Sequence, residues 1–297
     1  MTRLEENVKA GASEFSRMIH GKRIIRAAGV FNGISAILAE RAGFPALYLS
    51  GSGVAGAMGL PDLSITTLTE VSRETRNITR IVRPPLIVDA DTGFGEPLNV
   101  IRTVRELESS GAAAIHIEDQ VIPKKCGHLS GKELVQTEEM LMKIRAAVKA
   151  RRNRDFTIIA RTDAIAVEGL ENAISRAKKY VEAGADAIFV EAPQTPEEFR
   201  IIGESLQVPL LANMTEFGKS PIMSASDLER MGFRIVIYPL TAFRAALKTM
   251  EEIYSRIMSE GSQKGFIDAL MTRDQFYNVI GYNQYEEMDR ELSGIRR

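Results

Sequence analysis

The chain has 297 residues, with 38 Lys and Arg against 39 Asp and Glu, no Trp and a single Cys. A net charge of −1 gives no field that would draw it onto nucleic acid or an anionic membrane, and one cysteine excludes an internal disulfide. No apolar run approaches the length of a membrane span and Met1-Thr-Arg-Leu-Glu-Glu-Asn lacks the apolar stretch of a signal peptide, so the expected setting is cytoplasmic, with neither nucleic acid nor membrane as partner.

Residues 1–20 read as a lead-in helix. Short β-branched apolar runs then follow at Arg23–Val30, Ala46–Ser50, Pro85–Asp89, Ala113–Ile117, Phe156–Ala160, Ala187–Glu191, Pro209–Ala212 and Arg234–Tyr238. Each is succeeded by an amphipathic stretch, as Thr137-Glu-Glu opens Met140–Ala150 and Thr195-Pro-Glu-Glu precedes Phe199. Eight such units predict an α/β protein, a (β/α)8 TIM barrel, in preference to an open doubly wound sheet. No Pro/Gly/Ser-rich linker divides the chain, so residues 1–297 are taken as one barrel domain. Ala242–Glu260 reads as a long amphipathic helix, and the helical pattern at Phe266–Leu292 exceeds what closing a barrel needs; residues 262–297 read as a C-terminal helical arm suited to docking on a second subunit.

Barrel chemistry gathers where the strands end, and here those ends are rich in reactive groups. They read Tyr48-Leu-Ser50-Gly51-Ser52-Gly53, Asp89-Ala-Asp91-Thr-Gly93, His116-Ile-Glu118-Asp119, Arg161-Thr162-Asp163, Glu191, Asn213-Met-Thr215-Glu216 and Tyr238-Pro239, with Arg244 soon after. Asp89 and Asp91 share a face of an extended strand and, with Glu118 and Glu191 at neighbouring ends, suit a hard cation such as Mg²⁺ that keeps some water. Arg161 and Arg244 suit carboxylate recognition, because a guanidinium meets a carboxylate through two bonds. Gly51-Ser-Gly53-Val-Ala-Gly56 satisfies the dinucleotide fingerprint, yet Gly59 and Pro61 would stop the helix it requires; its amides are better suited to a small anion.

Between the fourth and fifth runs lies Ile115-His-Ile-Glu-Asp-Gln-Val-Ile-Pro-Lys-Lys-Cys-Gly-His128. A lone cysteine is more often a small core residue, but Lys124, Lys125 and His128 beside Cys126 argue against burial and predict a thiol that titrates low. Gly127 and Gly131 read as hinges of a loop that closes over substrate.

Lys124-Lys-Cys-Gly-His-Leu129, Val88-Asp-Ala-Asp-Thr-Gly-Phe-Gly and His116-Ile-Glu-Asp-Gln together resemble the isocitrate lyase and phosphoenolpyruvate mutase superfamily, and within it the methylisocitrate lyases. The likeness runs from Tyr48-Leu-Ser-Gly to Gln284-Tyr-Glu-Glu, and the cysteine loop is specific to the superfamily's C–C lyases. The resemblance implies a barrel with its last helix exchanged within a homotetramer, a Mg²⁺ cofactor, and retro-aldol cleavage of a small tricarboxylate, 2-methylisocitrate, to pyruvate and succinate in propionate catabolism by the methylcitrate cycle. It implies that Asp89 and Asp91 hold the metal with Glu118 nearby, and that Ser50, Gly51 and Ser52 bind the pyruvate-forming end. Gly127, Arg161, Glu191, Asn213, Thr215, Arg244 and Arg273 would hold the carboxylates, with Cys126 protonating the succinate carbanion and His128 closing the catalytic loop. Tyr48, Glu118 and a metal-polarised water remain open as the base. Leu129 stands where some methylisocitrate lyases carry a basic residue. Isocitrate lyase, giving glyoxylate and succinate, and a phosphonate-forming mutase are the rival readings.

Overall fold

The computed structural model describes residues 11–129 and 131–294. The first half of the expected lead-in helix and the last three residues of the arm lie outside them. The described chain begins with α1 (Gly11–Ile19) and β1 (Ile25–Val30), followed by α2 (Gly33–Arg41), β2 (Ala46–Leu49), α3 (Gly51–Ala57), α4 (Leu68–Thr79) and β3 (Leu86–Asp89). Next come α5 (Pro97–Ser109), β4 (Ala114–Glu118), α6 (Thr137–Ala150), β5 (Thr157–Thr162), α7 (Ile165–Glu168), α8 (Leu170–Glu182) and β6 (Ala187–Val190). The barrel is completed by α9 (Pro196–Ser205), β7 (Leu210–Asn213), α10 (Ala225–Arg230) and β8 (Ile235–Tyr238). Beyond it lie α11 (Thr241–Glu260), a 3₁₀ turn over Lys264–Ala269, α12 (Arg273–Ile280) and α13 (Tyr282–Ser293).

The eight strands pair in parallel, in sequence order, and β8 closes on β1 to form a complete barrel. All eight expected runs are strands. Three extend past their expected ends, β4 to Glu118, β5 to Thr162 and β7 to Asn213, because a run defined by apolar residues stops at the first polar side chain while the ladder does not: Glu118 pairs with Arg161. Thr195 caps α9 as expected, accepting from the Glu198 amide at 3.2 Å, whereas Thr137 is already inside α6, whose preceding residue makes no side-chain cap.

Two apolar layers result. One lies between strands and helices and contains Leu47, Val88, Ile115, Ile158 and Val236. The other fills the barrel with Ile25, Ala27, Tyr48, Ile87, Ile159, Phe189, Leu211, Ile235 and Ile237, and α1 plugs its base with Phe15 and Ile19. Burying a side chain of that size contributes about 1.5–3 kcal/mol, which accounts for a lead-in helix on the face away from the strand ends. Gly29 is fixed by close approach, since a Cβ there would stand 2.1 Å from the Pro239 carbonyl oxygen. Among the described residues no helix is long and apolar enough to cross a membrane.

Candidate active site

Side chains alternate along a strand, so positions two apart face the same way, and at the C-terminal mouth the inward positions change from apolar to ionisable. On β3 the series runs Ile87, Asp89; on β4, Ala114, His116, Glu118; on β5, Ile159, Arg161, then Asp163; on β6, Ala187, Phe189, then Glu191; on β7, Leu211, Asn213. Strand register sets Asp89 beside His116 and Glu118 beside Arg161. A compact charged layer therefore lies directly on an apolar plug.

Asp89 and Asp91 stand together at the end of β3. Asp89 Oδ1 accepts the Asp91 amide at 3.0 Å and its Oδ2 accepts the Gly51 amide at 3.1 Å. Asp91 takes a positive φ of 46°, a conformation that aspartate tolerates better than most residues but which still costs free energy. Its Oδ1 lies 3.0 Å from Lys124 Nζ, which also meets Asp62 Oδ1 at 2.5 Å. Burial opposes ionisation of Asp89 but is outweighed by His116, Lys124 and Arg161, which hold its carboxyl below the usual range. For Asp91, burial and the charge of Asp89 prevail over Lys124 and push the carboxyl up.

Tyr48 Oη and His116 Nε2 share a hydrogen bond of 2.9 Å inside the barrel, with Asp89 Oδ1 3.6 Å from that nitrogen. Burial lowers His116 to about 4 and raises the Tyr48 phenol, so both are neutral near pH 7. Glu118 is buried 3.2 Å from Arg161 Nε, and neither of its oxygens accepts a hydrogen bond among the described residues. Burial pushes its carboxyl well up against the pull of Arg161 and Lys124. Arg161 is not a free clamp: Nε and Nη2 donate to the two oxygens of Asp163 at 2.9 and 3.1 Å, and its guanidinium lies over the Phe189 ring.

The loop carrying the cysteine rises from a closed stem in which Val121 N donates to Glu133 O and Val135 N to Asp119 O. It lies across the mouth and is fastened on both sides of Cys126. Lys124 reaches Asp91, while a Cβ on Gly127 would fall 2.4 Å from Glu191 Oε1 and 2.5 Å from Arg161 Nη2. Gly127 is thus a packing position, not a hinge. Gly131, at φ 76°, is the one with a glycine conformation. His128 Nδ1 accepts the Lys219 amide at 3.0 Å, which assigns the ring proton to Nε2, 3.1 Å from Glu191 Oε1. Asn213 Nδ2 donates to the same carboxylate at 3.2 Å. Burial pushes Glu191 up, but Arg161 and the His128 bond bring it below its ordinary value.

The expectation of a low-titrating thiol is overturned. Lys124 is buried on Asp62 and Asp91, Lys125 Nζ donates to the Gly131 carbonyl, and His128 faces Glu191, so none of the three sequence neighbours is left for sulfur. Half-buried Cys126 is pushed above its ordinary 9.0 by desolvation, against an amide bond from His128 that favours the thiolate. Cys126 stays outside the buried core, as its neighbours suggested, although Lys124 itself is buried with its own counter-ions.

The remaining expected residues divide. Ser50 is buried at the start of α3, where its hydroxyl accepts from Gly53 N at 3.4 Å, and Ser52 is half-buried in the first turn. The Gly51 motif itself forms a seven-residue helix that ends at Met58, so no helix runs on from it, and the Gly51 amide is engaged by Asp89. Thr215 Oγ1 accepts from Arg244 Nη1 at 3.3 Å, and that nitrogen also donates to the Glu216 carboxylate at 2.7 Å. Arg273 is exposed at the start of α12, without a hydrogen bond or ion pair to any of these groups among the described residues. Sequence reasoning gave no role to His116 or Asp163, although the two-residue alternation with Glu118 and Arg161 points to both. It also missed Asp62 and Lys132, which reach the site only through loop geometry.

The oxygen donors fit a hard divalent cation. Asp91 Oδ1 and both oxygens of Glu118 are buried without hydrogen bonds among the described residues, and six carboxyls (Asp62, Asp89, Asp91, Glu118, Asp163, Glu191) face three fixed cations (Lys124, Lys132, Arg161). No ready-made cluster of three or more ligating side chains exists among the described residues. A site of two aspartates completed by substrate and water is the arrangement Mg²⁺ favours.

A closed parallel barrel with its ionisable side chains gathered at the C-terminal mouth defines the class of (β/α)8 enzymes. The family model described as phosphoenolpyruvate phosphomutase matches residues 15–258. The 2-methylisocitrate lyase of Aeropyrum pernix is 56% identical over 276 residues, covering 93% of this chain and 89% of that protein. Among solved structures, 2,3-dimethylmalate lyase superposes with TM-score 0.90 at 39% identity, covering 95% of each chain. A phosphonopyruvate hydrolase complex with oxalate and Mg²⁺ gives TM-score 0.86 at 33% identity over 97% of this chain and 98% of that one. The chain belongs to the phosphoenolpyruvate mutase and isocitrate lyase superfamily, and within it to the carbon–carbon lyases of the 2-methylisocitrate lyase family.

Proposed function

We propose that the protein cleaves 2-methylisocitrate to pyruvate and succinate with Mg²⁺ as cofactor. The observation that carries this reading is the double fastening of the cysteine loop, Lys124 on Asp91 and His128 on Glu191, which brackets the chain's only thiol over the mouth. Asp89 and Asp91 would hold the Mg²⁺, which when bound would polarise the oxygens of the pyruvate-forming half. Ser50, Gly51 and Ser52 supply hydroxyls and amides there. The Arg161, Glu191, Asn213, Thr215 and Arg244 side of the mouth receives the succinate-forming carboxylates. Glu118 is better placed as base than Tyr48: its carboxyl is raised and unbonded, whereas the phenol is pushed away from ionisation and bonded to His116. Cys126, a neutral thiol, gives its proton to the carbanion, a role that needs an acid still protonated at pH 7. His128, held by Glu191 and Lys219, keeps the loop seated.

The proposal extends to a single barrel domain over 1–297, a cytoplasmic homotetramer exchanging the arm at 262–297, and a place in propionate catabolism. Arg273 enters the site on this reading only if the arm is repositioned by assembly. The test is release of pyruvate and glyoxylate from purified protein given 2-methylisocitrate or isocitrate, with Mg²⁺ and then with EDTA. Mg²⁺-dependent pyruvate far above glyoxylate supports the reading. Dominant glyoxylate would make it an isocitrate lyase, and silence with both would remove it.

A further inference from the structure

Lys132 has no part in the chemistry proposed above, yet its side chain is only 1% exposed and its ammonium donates to two acceptors. Nζ donates to the Gly127 carbonyl at 2.5 Å and to Asp163 Oδ1 at 2.8 Å. Asp163 also receives both N–H groups of Arg161, the guanidinium against which the Cα of Gly127 packs. One carboxylate therefore stands behind two contacts of Gly127: Lys132 holds its carbonyl, and Arg161 limits the approach of its Cα. Asp163 is itself rooted, because its amide donates to Asp119 Oδ1 at 2.9 Å while Thr162 and Tyr180 hydroxyls donate to Asp119 Oδ2 at 2.7 Å each.

We infer that Lys132 is a positioning residue that sets the Cys126–Gly127 peptide over the barrel mouth, transmitting the position of Asp163 to the loop. The other fastenings do not replace it. Gln120 bonds the backbone of Lys125 and so fixes the loop one residue before the thiol, and the Gly127 packing is repulsive contact that limits approach without preventing departure. His128, held by Glu191 and Lys219, seats the next residue through its side chain, but Lys132 is the group that bonds the Gly127 carbonyl itself and so sets the peptide that follows the thiol. A charge-assisted bond is stronger than a neutral one, so its loss shifts the loop's equilibrium.

The inference rests on the catalytic reading for its purpose but not for its test, because Cys126 is the chain's only cysteine and an alkylating reagent therefore reports on this loop alone. Iodoacetamide incorporation into the full-length protein is followed by mass for wild type, Lys132→Met and Lys132→Arg, beside thermal midpoints. The expected result is alkylation faster by about tenfold or more in Lys132→Met, the scale of one charge-assisted bond, at a midpoint close to wild type, with Lys132→Arg largely restoring the slow rate. In pyruvate release the methionine variant loses kcat more than it raises KM. Should Lys132→Met fail to fold, Lys132→Gln is read in the same way. Equal alkylation rates in folded wild type and variant overturn the inference. Fast alkylation of the variant beside a wild type that releases no pyruvate keeps Lys132 as positioning residue and removes the substrate reading instead.

Discussion

Gly127→Ala probes the docking of the cysteine loop most directly. The added methyl would lie 2.4 Å from Glu191 Oε1 and 2.5 Å from both Arg161 Nη2 and Glu191 Cγ, whereas ordinary contact begins at 3.4 Å, so something must retreat by about 1 Å (3.4 − 2.4). Glu191 and Arg161 are poor candidates, being buried and tied to His128, Asn213 and Asp163. The loop is the movable partner, and it carries Cys126 with it. Misplacement on the order of 1 Å costs roughly 100-fold in rate, while overpacking costs about 1–3 kcal/mol of stability, a Tm fall of roughly 3–10 °C in a domain of this size. The assay is steady-state pyruvate release from 2-methylisocitrate with Mg²⁺, beside a thermal melt. A variant within threefold of wild-type kcat (an order-of-magnitude bound about 30 times tighter than the expected loss) would refute the claim that Gly127 seats the thiol.

Cys126→Ser should keep its thermal midpoint and its stabilisation by Mg²⁺ while kcat falls by about 10²–10⁴, since a serine hydroxyl is too weak an acid; turnover near wild type would remove the role. The raised thiol predicts that thiolate ultraviolet absorbance, with Cys126→Ser as blank, develops with a midpoint above 9.0, and that activity tied to the protonated thiol persists through neutral pH and is lost only on the alkaline side. A midpoint below 9.0 would restore the electropositive picture that the sequence suggests. Glu118→Gln should be inactive yet more heat-stable than wild type at pH 7.5. A carboxyl whose folded pKa is raised destabilises the fold when ionised, and that penalty recedes as pH falls, so the gap should narrow toward pH 5. A variant that melts lower than wild type at both pH values would show that Glu118 is held by bonds rather than penalised by burial.

The barrel was legible because its strands are buried on both faces and read as apolar runs, and because each run is followed by a helical stripe. The inward acids and bases were legible for a related reason: alternation places Glu118, Arg161 and Asp89 above Ala114, Ile159 and Ile87 without any knowledge of the loops. What local reading could not supply is the direction of a side chain in irregular backbone. Lys124, Lys125 and His128 adjoin Cys126 in sequence, and proximity suggested that they tune the thiol, yet each finds a stronger acceptor across space in Asp62 and Asp91, Gly131 and Glu191. The same rule hid Lys132, which looks like an ordinary loop lysine until the fold brings Asp163 and the Gly127 carbonyl to it.

The misreading of the thiol has one physical origin, and the arrangement that replaces it makes a better acid than the sequence promised. Had the lysines remained beside the sulfur, Cys126 would ionise near neutrality and would have no proton to give when the carbanion forms. By spending those cations on the aspartates and on backbone carbonyls, the fold leaves the thiol in a poorly solvated setting that favours its neutral form. The same redistribution fastens the loop at Asp91, so the group that holds the thiol's approach is one of the pair proposed to hold the metal. On that proposal metal affinity and thiol placement would be coupled through Lys124: a cation arriving at Asp91 would compete with the ammonium 3.0 Å away and would have to displace it, share it, or draw in the substrate's carboxylates as replacement partners.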